Sequence, residues 1–231
     1  MKKFKKLLIV LLSLPKTIFC NLYLFPFATA VRLPLFVEYR VTLGKIKRNS
    51  IVIESKPRLF LVRIAWGGTP SRPTHRRSFL SVGRKGGKLV FKGKASFGKG
   101  VSLICDSGVM RFGNNFIANV NVCLSCHSTV TFGDDVMIGW ESEVIDSDNH
   151  LIAYGDVDLS GVEDTTGESR PITVGDHVWI ASYCHLTKGA GIPSGSVVAY
   201  HSVVTKNIEG ENLLIGGFPA KKLRDHVQFV K

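Results

Sequence analysis

Val174-Gly-Asp-His-Val-Trp-Ile180-Ala-Ser-Tyr-Cys-His-Leu186-Thr-Lys-Gly-Ala-Gly-Ile192-Pro-Ser-Gly-Ser-Val-Val198-Ala-Tyr-His-Ser-Val-Val204 decides the fold of this chain. A large aliphatic residue falls at every sixth position: Val174, Ile180, Leu186, Ile192, Val198 and Val204. Four residues after each comes Val178, Cys184, Ala190, Ser196, Ser202 and Ile208, a second row of mostly small side chains. A period of six fits neither the 3.6-residue repeat of a helix nor the alternation of a long strand. It fits a chain that makes a short strand and then turns, three strands closing one triangular coil. Stacked coils gather the large residues into interior ladders, so each coil is held by its neighbours.

Upstream, the same rhythm begins at Phe91, Phe97, Leu103 and Val109, with Ala95 and Val101 in the second row. It restarts at Phe112, Ala118 and Leu124, and again at Phe132, Ile138 and Val144. Each restart predicts a short insertion at a corner. Between Val144 and Ile172 the rhythm stops, and the polar stretch 146–171 carries Asp156, Asp158, Glu163, Asp164 and Glu168. A long polar excursion from a regular solenoid marks a functional loop. Residues 41–88 read as less regular strands and turns, with Gly67-Gly-Thr-Pro70 and Ser71-Arg-Pro73 marking a loop.

The chain therefore divides into a basic, apolar N-terminal extension (1–50), a β-helix (51–208) with the inserted loop 146–171, and a C-terminal turn and short helix (209–231). The expected class is an all-β solenoid, a parallel β-helix with a helical or irregular N-terminal extension.

Charge is divided just as unevenly. Residues 1–100 carry 22 of the 30 Lys and Arg but 2 of the 18 acidic residues, Glu38 and Glu54. Such a half predicts an anionic neighbour, a membrane surface or an acidic glycolipid; no recognition helix or stacking platform accompanies it, which argues against nucleic acid. Met1-Lys-Lys-Phe-Lys-Lys6 precedes the apolar run 7–14, only eight residues before Pro15, which is too short to span a bilayer. No clean cleavage site follows. Asn21-Leu-Tyr-Leu-Phe-Pro-Phe27 and Leu33-Pro-Leu-Phe36 extend the apolar character, so the segment reads either as lying in a membrane interface or as a helix packed on the base of the coil.

Five cysteines, Cys20, Cys105, Cys123, Cys126 and Cys184, are an odd number without a framework spacing, as in a reducing, cytoplasmic compartment. Cys123-x-x-Cys126-His127 has no second pair at metal-finger spacing, so these read as buried thiols and no metal is expected. At the start of the polar loop, Asp146-Ser-Asp148-Asn-His150 sets an imidazole among carboxylates. A neutral His can take a proton from an alcohol while a neighbouring carboxylate steadies the imidazolium. His150 is the candidate general base, with Asp148 or Asp146 as its orienting group.

These segments resemble the hexapeptide-repeat acyltransferases. Pro171-Ile-Thr-Val-Gly-Asp-His-Val-Trp179-Ile-Ala181 is similar to the family's Pro-Ile-x-Ile-Gly-x-x-Val-Trp-Ile-Gly, with Ala181 where glycine is usual. Ser202-Val-Val-Thr205-Lys206 and Gly217-Phe-Pro-Ala-Lys221 are similar to two further family segments, and Phe116-Ile-Ala-Asn119-Val-Asn resembles one in galactoside and maltose acetyltransferases. The resemblance implies a left-handed coil, a homotrimer, and acetyl-CoA bound in a groove between subunits. Trp179, Ala181, Ala199, Thr205, Lys206, Lys221 and Lys222 would line that groove, Ala181 narrowing it. Asn119 and Trp140 would meet the acceptor. The Asp-Ser-Asp-x-His context looks most like the branch that O-acetylates capsule, lipopolysaccharide and O-antigen sugars, with a sugar or lipid-linked glycan as acceptor. Two other readings are a β-helical zinc carbonic anhydrase, whose second histidine is missing after both His127 and His150, and a non-enzymatic scaffold.

Overall fold

The structure, a computed structural model, describes residues 2–67, 74–153, 155–158, 160 and 167–230. The loop signalled by 68–73, with its Arg72, and the loop residues Glu163 and Asp164 lie outside the described residues.

Short strands visit three parallel sheets in turn. Sheet 1 has nine strands, sheet 2 seven and sheet 3 six, so the coil makes six full turns and begins a seventh. Every hexad residue from Val174 to Val204 named above is buried. In sheet 3 the register aligns Ile53, Phe91, Phe112, Phe132, Val174 and Ile192 as one inward column. Its rings stack face to face, Phe91 on Phe112 at 4.9 Å and Phe112 on Phe132 at 5.5 Å. Phe97 and Phe116 from sheet 1 meet Phe112 edge-on at 5.2 and 4.7 Å. Offset stacks and edge contacts are the two favourable aromatic geometries, and both are used here.

One expected ladder position is displaced. Val109 is only partly buried, and Met110 fills the interior instead, in register with Leu89 and Val130. The corner before it takes three residues more than the repeat allows, since Phe112 follows Leu103 in the ladder, and an odd insertion reverses which face a side chain occupies.

The corner between sheets 1 and 2 turns through a left-handed residue in successive coils: Gly100, Asn121, Glu141, Tyr183 and His201, the last four at φ 58–62°. That conformation costs an L-residue free energy, so its repetition keeps a sharp vertex at the same place in every coil.

The coil begins earlier than residue 51. Leu35–Val37 and Thr42–Ile46 already form the first strands of sheets 1 and 2, because the helix before them completes their edge. This helix, α1 (Lys2–Leu24), runs unbroken through Pro15. Ser13, Thr17, Cys20, Asn21 and Leu24 are its buried stripe, spaced as a helix face must be. The Asn21 side chain receives the Leu35 amide at 3.2 Å and donates to its carbonyl at 2.6 Å. Thr17 exchanges bonds with Val37 in the same way, at 3.1 and 3.2 Å. Side chains thus stand in for the missing neighbouring strand and satisfy an otherwise open edge. The apolar run is correspondingly longer than eight residues: Lys6–Leu24 is long and apolar enough to cross a membrane.

Among the described residues the expected C-terminal helix does not form. Leu214–Gly217 joins sheet 1 beside Val197 and Val198, and Ala220–Arg224 folds back antiparallel on it. The exposed backbone edge of the last coil selects a strand partner over a helix, which would leave that edge unpaired.

Phe112→Ala should lower the unfolding free energy by about 3–5 kcal/mol, since it empties the centre of the aromatic cluster. Urea denaturation of the variant beside the wild type measures it.

Candidate active site

An open groove of about 500 Å³ runs along the outside of sheet 1 and its corner with sheet 2. The coil builds it from three aligned rows. Ile117, Met137, Trp179 and Val197 share the outward register of sheet 1. Asn119, Gly139, Ala181 and Ala199 are the residues just after each strand, tied coil to coil by backbone bonds of 2.7–2.9 Å. Trp140, Ser182 and Tyr200 follow them on the corner. The walls are mainly apolar and the floor is made of small residues. At Gly139 a Cβ would lie 2.5 Å from the Ser182 nitrogen, so nothing larger fits between the coils. A narrow, apolar trough floored by backbone suits an extended chain of amides and methylenes such as a pantetheine arm.

Five of the sequence-derived candidates therefore meet in one place: Asn119, Trp140, Trp179, Ala181 and Ala199. Met137, Gly139, Ser182, Val197 and Tyr200 line it too and were not singled out. The signal for two of them was available, since Val197 and Tyr200 stand eighteen residues after Trp179 and Ser182, one full coil on. The Asn119 side-chain oxygen accepts its bond from the Val120 amide at 2.8 Å. Lys221 and Lys222 stand on the last strand of the same sheet, Lys222 paired with Asp225 at 3.1 Å. The C-terminal Phe229 ring stacks on His177 at 4.3 Å and reaches Trp179 at 6.0 Å, so the tail lies over this face.

The other candidates lie at a different vertex. His150 and Asp148 sit where the loop leaves the corner between sheets 2 and 3, and exposed Thr205 and Lys206 occupy the same corner two coils on. The loop has a built neck. Ser147 and Ser169 form an antiparallel bridge, flanked by bonds from the Asp148 amide to the Glu168 carbonyl (3.1 Å) and the Arg170 amide to the Asp146 carbonyl (2.9 Å). Lys188, from the next coil, pairs with Asp148 and with Glu168 at 2.7 Å. His150 projects exposed just beyond this neck, its backbone packed against Gly167.

Neither carboxylate orients the imidazole as expected. Asp148 is engaged by Lys188. Asp146 is fully buried, and its oxygens accept the amides of His127 (2.7 Å) and Ser128 (2.8 Å), with the Cys126 thiol at 3.6 Å. A carboxylate holding two backbone donors fixes a corner and is not free to follow a loop histidine. The Cys-x-x-Cys-His stretch does not converge either. Cys126 faces inward beside Cys105, which with burial holds its thiol up, whereas Cys123 faces outward beside Glu143. Burial, then Glu143, pushes the Cys123 thiol up to about 11.

The fold and groove define a parallel β-helix of the hexapeptide type. No family model matches the chain. Galactoside O-acetyltransferase of Escherichia coli is 33% identical over 118 residues, which are 50% of this chain and 54% of that protein. A provisionally named lipopolysaccharide biosynthesis O-acetyl transferase of the same organism is 30% identical over 137 residues, 57% of this chain and 69% of the relative. A hexapeptide-repeat acetyltransferase of Vibrio cholerae, solved with acetyl-CoA, is 31% identical over 50% of this chain and 60% of its own, at a TM-score of 0.43. The chain thus spans little more than half of the first of these relatives. It belongs to the hexapeptide-repeat acetyltransferase family, whose coil is left-handed.

Lys188 holds Glu168 below the usual carboxylate range, and the two acidic residues raise Lys188 above its own. The lowered Glu168 stabilises the neck above its unfolded value and ceases to as pH falls through the folded one; the raised Lys188 does so until pH climbs past its folded value. The neck should therefore stay closed between about pH 5 and 10. The protection factors of the Asp148 and Arg170 amides against hydrogen exchange should fall in acid, and Lys188→Ala should reproduce that loosening at pH 7.

Proposed function

We propose that the protein is an O-acetyltransferase that moves acetyl from acetyl-CoA to a sugar hydroxyl, working as a trimer on a membrane face. The observation that carries this reading is the groove itself, which collects Asn119, Trp140, Trp179, Ala181 and Ala199 in one mainly apolar trough of about 500 Å³. The relatives are named for the same chemistry, on galactosides and in lipopolysaccharide biosynthesis.

In this reading His150 takes the proton of the acceptor hydroxyl as its oxygen attacks the thioester carbonyl; the adduct then collapses, CoA leaves as thiol, and the acetyl ester remains on the sugar. No acyl-enzyme forms. Asn119 positions the acceptor, and Lys206, Lys221 and Lys222 meet the CoA phosphates as point charges. The separation of the parts supports the trimer. The groove lies at the vertex between sheets 1 and 2 and His150 at that between sheets 2 and 3, so a complete site joins the groove of one subunit to the histidine loop of the next.

Membrane attachment is supported by the polarity of α1. Its polar stripe is turned inward, while Phe4, Leu7, Leu8, Leu11, Leu12, Ile18, Phe19 and Leu22 are exposed. Apolar side chains beside a strongly basic half suit the headgroup boundary of an anionic bilayer. The bonds of Thr17 and Asn21 to the first strand favour a helix lying in that boundary over one crossing it. Free cysteines and a cytosolic donor are consistent with the cytoplasmic side of that membrane.

His150→Ala should lower turnover by about 10²-fold or more while CoA binding persists. CoA release against a panel of sugars, with melting curves in CoA, measures both, and full activity would remove His150 from its role. Phosphatidylcholine vesicles containing about 30% phosphatidylglycerol should sediment the protein and neutral vesicles should not; Leu11→Gln with Phe19→Gln should abolish the difference, and alkaline carbonate should strip the protein off.

A further inference from the structure

The corner between sheets 1 and 2 carries a second, smaller cavity of about 160 Å³, lined by Glu38, Arg40, His75, Arg77 and Lys99 among others. Residues 74–78, which close the long corner insertion of the second coil, lie lengthwise over the coils that follow. A chain of bonds fixes them there. The Thr74 hydroxyl donates to the Asn121 side-chain oxygen at 2.6 Å, the Asn121 amide donates to Glu141 at 2.7 Å, and Arg76 pairs with Glu141 at 3.0 Å. Phe97 and Ala118 are register partners, so Lys99 stands one rung, roughly 4.8 Å, from the corner of Asn119 and Val120. The cavity thus adjoins the acceptor end of the groove.

Its charge is not balanced. Glu38 is buried, and its carboxylate is taken by Arg40, with the guanidinium at 2.8 Å and the Arg40 amide at 2.9 Å. Arg76 is taken by Glu141. Arg77 and half-buried Lys99 have no acidic partner among the described residues, and His75 opens on the same space. Exposed Arg77 and half-buried Lys99 line one recess, and cations that share a recess repel each other unless an anion lies between them. A guanidinium fork beside an ammonium matches the oxygens of a phosphate or carboxylate. A neutral sugar would need neither.

We propose that this cavity receives an anionic group of the acceptor, its phosphate or carboxylate, with Arg77 and Lys99 as the ligands that choose an acidic glycan over a neutral one. The proposal rests on the acetyl-transfer reading for its acceptor, but the cavity binds the anion whether or not transfer follows.

The test is calorimetric titration of the protein saturated with CoA, which fills the nucleotide's own phosphate sites. The probes are galactose 1-phosphate, galacturonate and galactose, on the wild type and on Arg77→Ser with Lys99→Gln. At least one acidic probe should bind, about tenfold or more tighter than to the double variant, and galactose should show no such difference. Which acid binds distinguishes phosphate from carboxylate. No acidic probe binding to the loaded protein, or binding unchanged in the variant, would overturn the proposal. Should CoA fail to raise the melting temperature while the acid binding and its loss persist, the transferase reading falls and the cavity assignment stands. Both side chains lie at the surface of the cavity and bear no ion pair, so an unchanged melting curve certifies that the variant is folded.

Discussion

Rung-to-rung register along the inward column of sheet 3 is the constraint from which the rest of the molecule follows. Ile53, Phe91, Phe112, Phe132, Val174 and Ile192 must stay aligned for the rings to stack and for each coil to bury the next. The same alignment fixes the outside. A strand alternates its faces, so a column locked inward locks its neighbours outward, and the wall from Ile117 to Val197 is the reverse side of the core. A slip of one residue would empty the interior and erase the groove together.

Periodicity carried this far because it is local. The six hexads from Val174 to Val204 were legible because each side of the coil holds six residues with nothing inserted. The upstream restarts blurred the same pattern, and at Val109 a three-residue corner insertion placed Met110 and Phe112 in the core instead. Both ends were misread for a different reason. A terminal strand is chosen by the edge it meets, and nothing in Lys-Lys-Leu-Arg says that a bare strand of sheet 1 lies beside it. Likewise Ser13, Thr17 and Asn21 look like breaks in an apolar helix until the backbone of Leu35 and Val37 is there to receive them. In the site, the groove residues were readable from motif and rung position. The partners of His150 were not, because Asp146 and Asp148 are recruited by His127 and Ser128 in the preceding coil and by Lys188 in the next.

A triangular coil also assigns its vertices unequal tasks. The vertex between sheets 1 and 2 repeats one left-handed turn and so offers a straight, regular edge, good for an extended ligand. The vertex between sheets 2 and 3 accommodates a long insertion, and Lys188 ties the neck of that insertion to the next coil. The regular edge and the insertion are separated by one side of the triangle, a third of a turn of chain.

A solenoid has no intrinsic length: its last rung presents what its first rung needs, and identical copies could join end to end without limit. Here α1 answers the first strand with hydroxyl and carboxamide groups, which no coil of a second copy can displace without breaking them. At the other end the strand Ala220–Arg224 reverses direction and carries lysines outward. The inverted helix therefore acts as a stop to filament growth, and the coil keeps a finite number of turns.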